Sequence, residues 1–120
     1  MNILIVDDDI NITDILGSHL SKHHNITIFN ESIVAWDHYM DYHDYDVVLT
    51  DYYMPMLFAD GFIKRMLSIN PTQQIIVISS VISTERRNML LQYMPLVQII
   101  DKPFTLGEID VGIKNISNYS

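Results

Sequence analysis

Five short apolar segments alternate along the chain with five segments in which apolar residues recur at helical spacing. The segments at 3–6, 47–49 and 75–78 are apolar without interruption, which is typical of strands covered on both faces. The segment at 26–29 alternates apolar with polar residues and is expected at an edge of the sheet, and 97–100 supplies a fifth strand. Because crossovers between parallel strands are right-handed, this order predicts helices on both faces of a parallel sheet, an open doubly wound α/β fold.

The helices are predicted from apolar residues three and four positions apart, which share one face of a helix. This spacing indicates inward faces for the first, second and fifth helices. In that order, the faces are Ile12, Ile15, Leu16, His19 and Leu20; Ile33, Trp36 and Met40; and Leu106, Ile109, Ile113 and Ile116.

Capping residues and helix breakers predict the ends of the other helices. A third helix is expected at 61–69, where an Asn-Pro pair follows, and a fourth at 84–93 with Thr84 as its N-cap. Thr105 and Glu108 have the spacing of a capping box, which marks the start of the last helix.

Length and composition narrow the class of protein. A chain of 120 residues is long enough for one core and too short for two, so 1–120 is expected to be a single domain. Fifteen acidic residues against seven basic ones give a formal charge of −8, which argues against direct binding to nucleic acid by this domain. The absence of cysteine excludes disulfides and thiolate zinc sites. With no basic region before its first apolar run and no apolar run near about eighteen residues, the domain is expected in the cytoplasm, with no membrane contact.

Chemically active side chains follow four of the predicted strands. In an open α/β sheet, the carboxyl ends of parallel strands form the edge where ligands bind, so these side chains are expected to meet. They are Asp7, Asp8 and Asp9 after the first strand, Asp51 after the third, Ser79 and Ser80 at the end of the fourth, and Asp101, Lys102 and Pro103 after the fifth.

Converging carboxylates predict a cation site. Two carboxylates about 5 Å apart repel by roughly 3 kcal/mol at an effective dielectric constant near 20, so a group of them raises its pKa values or recruits a cation. Oxygen ligands without cysteine suit Mg²⁺ or Mn²⁺ better than zinc. A lysine and a serine at the same edge would donate hydrogen bonds to a phosphate, so the set suits a carboxylate that attacks or binds beside a phosphoryl group.

Acids at strand-to-helix turns also serve as helix N-caps or lie in solvated loops, and Asp9 is expected to do so. Capping does not explain the joint presence of acids after two strands, a hydroxyl at the end of another and a lysine after a fourth.

At this point the sequence resembles the receiver domain of two-component response regulators. The resemblance implies a flavodoxin-like (βα)5 fold, a five-stranded parallel sheet with strand order 2-1-3-4-5. The motifs that carry it, in order, are ILIVDDD (3–9), VVLTDYYMP (47–55), DG (60–61), IVIS (76–79) and KPF (102–104).

The resemblance also implies a metal site and an acceptor. Asp51 would be the phosphoacceptor, taking a phosphoryl group from the phosphohistidine of a kinase. Asp8, Asp51 and the backbone carbonyl of Tyr53 would bind Mg²⁺, or Mn²⁺, and Asp7 would bind it through a water molecule.

Two further residues have implied roles. Lys102 would pair with Asp51 at rest and with a phosphoryl oxygen afterwards, and its bond to Pro103 is expected to be cis. The hydroxyl of Ser79 would move toward the phosphoryl group and bias a two-state surface for protein binding.

The departures from the family pattern include three near these motifs. Four residues, 56–59, separate the proline from Asp60-Gly61 where two are usual, which lengthens the loop beside the site. Ile99 stands where the switch region of the family usually has an aromatic residue. Tyr53 is a bulky residue two positions after the expected acceptor.

The motifs and the expected site residues together predict a phosphorylatable receiver domain. It would take part in phosphotransfer and in the dephosphorylation of Asp51 without being a conventional enzyme. Its expected partner is a sensor histidine kinase or a phosphotransfer protein, with a homodimer as a further option. The alternatives are a degenerate receiver that acts as a constitutive interaction module, the receiver domain of a hybrid histidine kinase, and a Mg²⁺-dependent phosphohydrolase. The phosphohydrolase normally has a second Asp two residues after its nucleophile, where this chain has Tyr53.

Overall fold

The computed structural model describes residues 1–80 and 82–117. The strands are β1 (Asn2–Val6), β2 (Asn25–Phe29), β3 (Val47–Asp51), β4 (Gln74–Ser79) and β5 (Val97–Asp101). The helices are α1 (Ile10–Leu20), α2 (Ser32–Asp41), α3 (Ala59–Ile69), α4 (Thr84–Leu91) and α5 (Leu106–Ser117). The strands pair in parallel in the order β2-β1-β3-β4-β5. The predicted doubly wound, flavodoxin-like fold with β2 at an edge is therefore confirmed.

The sheet is covered on both faces, which explains the uninterrupted apolar runs. Leu4, Val48 and Ile75 belong to a core shared with α2, α3 and α4. The alternate residues Ile3 and Val47 belong to a second core, shared with α1 and α5. Every residue of β3 is buried, as expected for a central strand of a sheet with helices on both faces.

The inward face of α1 differs from the predicted one. Leu16 is buried as expected, but Ile15 is 51% exposed, and Gly17 is buried instead. Gly17 packs so closely on β2 that a Cβ atom there would lie 2.8 Å from Ile28 Cδ1. This close approach turns the Gly17 side of α1 toward the sheet, so the prediction for Ile15 was wrong.

The face of α2 is also shifted from the predicted one. Ser32, Ala35 and Tyr39 are buried, whereas the predicted Ile33 and Met40 are partly exposed. The polar atoms of the buried residues are satisfied, since the Ser32 hydroxyl donates to the Pro55 carbonyl at 2.8 Å and the Tyr39 hydroxyl to Gln73 Oε1 at 2.7 Å. A serine or tyrosine can be buried in the core when its hydroxyl is hydrogen-bonded, so a prediction from the spacing of apolar residues alone misses such positions.

The boundaries of α3 and α4 differ by a few residues from the predictions. α3 begins at Ala59, two residues earlier than expected, with the Ala59 N–H donating to the Tyr52 carbonyl at 3.1 Å. The N-cap of α4 is Ser83, whose hydroxyl accepts from the Arg86 N–H at 3.2 Å, and not Thr84. α4 ends at Leu91, because the chain continues in tighter turns with hydrogen bonds three residues apart.

The predictions for α5 hold. The Glu108 N–H donates to the Thr105 hydroxyl and the Thr105 N–H to Glu108 Oε1, each at 3.1 Å, which is the predicted capping box. Ile109, Ile113 and Ile116 are buried as expected. Within residues 1–80 and 82–117, no helix has both the length and the apolar character required to cross a bilayer.

Replacing Tyr39 by Phe is expected to lower the free energy of unfolding by about 1–2 kcal/mol, because it removes a buried donor and leaves Gln73 Oε1 with only a 3.4 Å contact from Asn70. Chemical denaturation of the purified variant measures this change. Tyr42→Phe is the matched control, since Tyr42 is 68% exposed and its loss of a hydroxyl should cost less than about 0.5 kcal/mol. Equal stability of wild type and Tyr39→Phe would contradict the assigned role of this hydrogen bond.

Candidate functional site

Three carboxylates meet at the carboxyl end of the two central strands. Asp7 and Asp8 directly follow β1, and Asp51 is the last residue of β3. The two strands are paired, with Val6 opposite Thr50, so the residues that follow lie side by side. One carboxylate oxygen from each of Asp7, Asp8 and Asp51 lies within 4.8 Å of the others. The predicted convergence of acids from two strand ends is therefore present.

Lys102 brings a positive charge to these acids. Its Nζ lies 3.2 Å from Asp51 Oδ1 and 3.5 Å from Asp7 Oδ2. Lys102 follows β5, two strands away from Asp51, and its N–H donates to the Ser79 carbonyl at 2.6 Å. The bond between Lys102 and Pro103 is cis, as predicted. The ammonium group thus stands where it can also pair with an anion bound beside Asp51.

Three other residues were singled out in the sequence, and they lie on β4, on β5 and on the loop after β3. Ser79 is buried at the end of β4, between β3 and β5, and its hydroxyl donates weakly to the Ser80 carbonyl at 3.4 Å. Tyr53 is 38% exposed on the loop that follows Asp51. Ile99, on β5, is packed against the core that contains Leu90 of α4.

Asp9 has the capping role expected for it. Its carboxylate accepts from the Asn11 N–H at 2.9 Å and caps α1. Asp9 also donates its own N–H to Asp7 Oδ1 at 2.9 Å, which orients the Asp7 carboxylate.

One residue of the site has no signal in the sequence. Asn30 Nδ2 donates to the Asp7 carbonyl at 2.8 Å and to the Thr13 hydroxyl at 3.0 Å. These bonds tie the end of β1 to the first turn of α1 and so hold the segment that carries the acids. Asn30 is 23 residues from Asp7, and no local pattern marks such a contact.

The donor set fits a hard divalent cation. Asp7 Oδ2 is buried and accepts no hydrogen bond from the described part of the chain, and the Lys102 ammonium gives it only the 3.5 Å ion pair. Burying a charged carboxylate oxygen without a hydrogen-bond donor destabilises the folded state unless a nearby positive charge compensates it. Oxygen ligands from three aspartates are the kind that Mg²⁺ and Mn²⁺ prefer.

Burial dominates the electrostatics of the site. It raises the pKa of Asp7 from 3.8 to about 6, against the lowering effect of the Asp9 N–H and with a further increase from Asp51. Burial also raises the pKa of Asp51, and Lys102 opposes this shift. For Lys102, burial lowers the pKa, but the attraction of Asp51 and Asp7 outweighs it, so the pKa is raised and the ammonium stays charged. Negative charge is thus disfavoured in the site, which favours binding of a cation.

Replacing Asp7 by Asn is expected to stabilise the fold in EDTA at pH 7.5. A pKa raised from 3.8 to about 6 means that keeping Asp7 ionised costs roughly 3 kcal/mol at neutral pH. The folded state holds a proton between pH 4 and 6 that the unfolded state has lost, so wild-type stability falls as the pH rises through this window. Asn keeps the oxygen that accepts from Asp9 and removes the charge, so the variant should lack this decrease.

Denaturant unfolding in EDTA at intervals from pH 4 to 7.5 measures the difference. Asp14→Asn, at an exposed position of α1, is the control and should follow the wild-type curve. A wild-type stability that does not fall between pH 4 and 6, or an Asn variant less stable than wild type at pH 7.5, would contradict the prediction.

The sequence matches the model of a known protein family. The model of the response regulator receiver domain family matches residues 3–114. A comparison with curated protein sequences finds no match.

Solved structures of other proteins share the fold. The receiver domain of the Francisella response regulator 1452 is 22% identical, with a TM-score of 0.84 over 98% of this chain and 97% of that one. The Vibrio cholerae chemotaxis protein CheY4 is 19% identical, with a TM-score of 0.84 over 96% of this chain and 97% of its own. NtrX from Brucella abortus, solved in complex with ATP, is 19% identical, with a TM-score of 0.82 over 96% of this chain and 26% of its own. In NtrX, the shared fold is therefore one part of a longer chain.

Proposed function

Because the chain belongs to the response regulator receiver domain family, we propose that it is a phosphorylatable switch in which Asp51 accepts a phosphoryl group from a phosphohistidine. The observation that carries the proposal is the arrangement of Asp51 beside Lys102, with Asp7 and Asp8 within the same group of carboxylates. The donor would be a sensor histidine kinase or a phosphotransfer protein in the cytoplasm. The receiver would occupy 1–120.

The chemistry assigned to Asp51 is nucleophilic. A carboxylate oxygen of Asp51 forms a bond to phosphorus while the bond from phosphorus to the histidine nitrogen breaks, and the electron pair of that bond stays on the imidazole. The product is an aspartyl phosphate. Hydrolysis of that bond by water returns Asp51 to its original state, so the proposed switch resets itself.

Lys102 and Ser79 would stabilise the transferred group. The Lys102 ammonium, 3.2 Å from Asp51 Oδ1, would exchange this partner for a phosphoryl oxygen. The Ser79 hydroxyl makes only a weak bond of 3.4 Å, so it is available to donate to another phosphoryl oxygen at little cost. A hydroxyl that moves in this way would alter the end of β4 and bias the surface presented to partners.

Asp7, Asp8 and Asp51, with the backbone carbonyl of Tyr53, are the residues that would hold Mg²⁺ or Mn²⁺. Bound metal would supply positive charge that offsets the repulsion between the carboxylates and the phosphoryl oxygens. The Asp9 N–H orients the Asp7 carboxylate for this role, and Asn30 holds the backbone that carries it.

The proposal is tested by incubating the purified protein with acetyl phosphate, in Mg²⁺ and separately in EDTA, and measuring the intact mass. Wild type is expected to gain the mass of one phosphoryl group in Mg²⁺ and none in EDTA. A folded protein that binds Mg²⁺ yet gains no mass would overturn the proposal and favour a degenerate receiver that acts as a constitutive interaction module. Turnover of phosphate esters such as p-nitrophenyl phosphate would instead favour a phosphohydrolase.

A further inference from the structure

Arg86, in the first turn of α4, lies over three aromatic rings of the segment that follows Asp51. Its guanidinium carbon is 5.8 Å from the ring centroid of Tyr52, 5.9 Å from that of Tyr53 and 5.2 Å from that of Phe58. Arg86 Nη1 also donates to the Tyr52 hydroxyl at 3.3 Å. All three distances are within the range of about 6 Å in which a cation is attracted to a ring face.

The three rings also contact one another. Tyr53 packs edge-on against Tyr52, with centroids 4.8 Å apart, and against Phe58, with centroids 5.7 Å apart. We call Tyr52, Tyr53, Phe58 and Arg86 the aromatic clamp. Phe58 belongs to the four-residue stretch that lengthens this loop, so the longer loop supplies the ring closest to the guanidinium.

α4 has few other anchors. Among residues 84–91, only Leu90, near the end of the helix, is buried, and Arg87 makes an ion pair with the exposed Asp101 at the end of β5 at 2.7 Å. At the start of the helix, the Arg86 N–H donates to the Ser83 hydroxyl while the Arg86 side chain reaches the rings. Arg86 thus connects the first turn of α4 to the rings that follow Asp51, whereas the pair of Arg87 with Asp101 connects the helix to β5.

The other end of the clamp adjoins the site. Tyr52 is buried next to Asp51, and its backbone is fixed on both sides, with its N–H donating to the Ile78 carbonyl and its carbonyl accepting from Ala59. Tyr53 is partly exposed, and its ring is held in place largely by its contacts within the aromatic clamp. Its carbonyl is the proposed backbone ligand for Mg²⁺.

We propose that Arg86 is a positioning residue for the Asp51 site: through the aromatic clamp, it holds Tyr53 in place for cation binding and couples the site to the first turn of α4. The inference rests on the proposed function. Since coupling between two sites is reciprocal, cation binding at the acids should protect the first turn of α4, and loss of the clamp should weaken cation binding.

The test compares Mg²⁺ affinity, measured by NMR titration, with hydrogen exchange of the peptide 84–91 in EDTA and in saturating Mg²⁺. Arg86→Ala is expected to weaken Mg²⁺ binding about fivefold, which is the scale of a partly exposed cation–π contact, and to abolish the Mg²⁺-dependent protection of 84–91. Phe58→Leu, at a 42% exposed position, should act in the same direction, whereas Phe58→Tyr keeps the ring and should behave as wild type.

Arg65→Ala is the matched control. Arg65 also lies over a ring, 5.9 Å from that of Trp36, and its loss changes the net charge by the same amount as Arg86→Ala. Its Mg²⁺ affinity and exchange should equal those of wild type. Loss of one positive charge by itself would strengthen Mg²⁺ binding, so equal losses of affinity in both arginine variants would show a general effect of the substitutions with no specific role of the aromatic clamp, and would overturn the inference. An Arg86→Ala variant that behaves as wild type would overturn it as well.

The failure of this inference is distinguishable from the failure of the proposed function. Wild type that binds Mg²⁺ and gains a phosphoryl group, with Arg86→Ala unchanged in Mg²⁺ affinity and exchange, overturns only the role of Arg86. Wild type that binds Mg²⁺ with the predicted dependence on Arg86 but gains no phosphoryl group overturns only the switch. Wild type that binds no Mg²⁺ overturns the inference and the proposed metal site together.

Discussion

The Asp51→Asn variant is expected to gain no phosphoryl group from acetyl phosphate in Mg²⁺, whereas wild type gains one. Asn has nearly the same shape as Asp, but its neutral amide is not a nucleophile toward phosphorus, so the proposed bond cannot form. The burial that raises the pKa of Asp51 no longer penalises a charge in the variant, so the fold should survive the change. Intact-mass measurement after equal incubation decides the outcome.

Asp101→Asn is the matched control for this variant. Asp101 stands at the same edge of the sheet, at the end of β5, but it is exposed and pairs with Arg87 at 2.7 Å. It should be phosphorylated as wild type is. Mass gain in Asp51→Asn equal to that of wild type would place the acceptor elsewhere, and peptide mapping of the phosphorylated protein would then locate it.

Replacing Lys102 by Met is expected to slow phosphorylation by about 100-fold to 1,000-fold, the usual cost of losing one donor that stabilises charge in a transition state. Met has a similar length but no charge, so the phosphoryl oxygens lose their proposed ammonium partner. The rate of mass gain at a fixed concentration of acetyl phosphate measures this effect.

The same variant should also be less stable in EDTA at pH 7.5. Lys102 is the ammonium that stands within 3.5 Å of both Asp7 and Asp51, and its removal leaves two buried acids without this compensation. A loss of about 1–3 kcal/mol in the free energy of unfolding is expected. The loss should shrink at pH 5, because Asp7, with a pKa of about 6, is then mostly protonated.

Lys64→Met serves as the control, since Lys64 is exposed on α3 and should change neither the rate nor the stability. A Lys102→Met variant phosphorylated as fast as wild type would show that the ammonium group has no part in the transfer. A stability loss of the same size at pH 5 and pH 7.5 would show that the destabilisation does not come from the charge of Asp7.

Local sequence determined the parts of the fold that depend on near neighbours. Strands covered on both faces are apolar at nearly every position, so β1, β3 and β4 were predictable within two residues at each end, with the polar residues Thr50, Asp51 and Ser79 confined to the carboxyl ends. The capping box of Thr105 and Glu108 forms within a single turn and was predicted for the same reason. The meeting of Asp7 and Asp51 followed from the order of elements, because a parallel sheet brings the carboxyl ends of its strands to one edge.

Tertiary structure alone decided which faces of α1 and α2 are buried. The buried face of α1 depends on the close contact of Gly17 with β2, and that of α2 depends on the hydrogen bond between Tyr39 and Gln73 across the core. Tertiary structure also decided that Asp7 Oδ2 accepts no hydrogen bond from the described residues, and that the guanidinium of Arg86 lies over the rings of the aromatic clamp. These contacts join residues far apart in the chain, so neither helical periodicity nor a motif records them. Sequence by itself thus determined the fold and the set of acids at its edge. The folded chain determined how strongly those acids are desolvated and which side chains hold them, because burial and long-range contacts exist only once the helices are packed on the sheet.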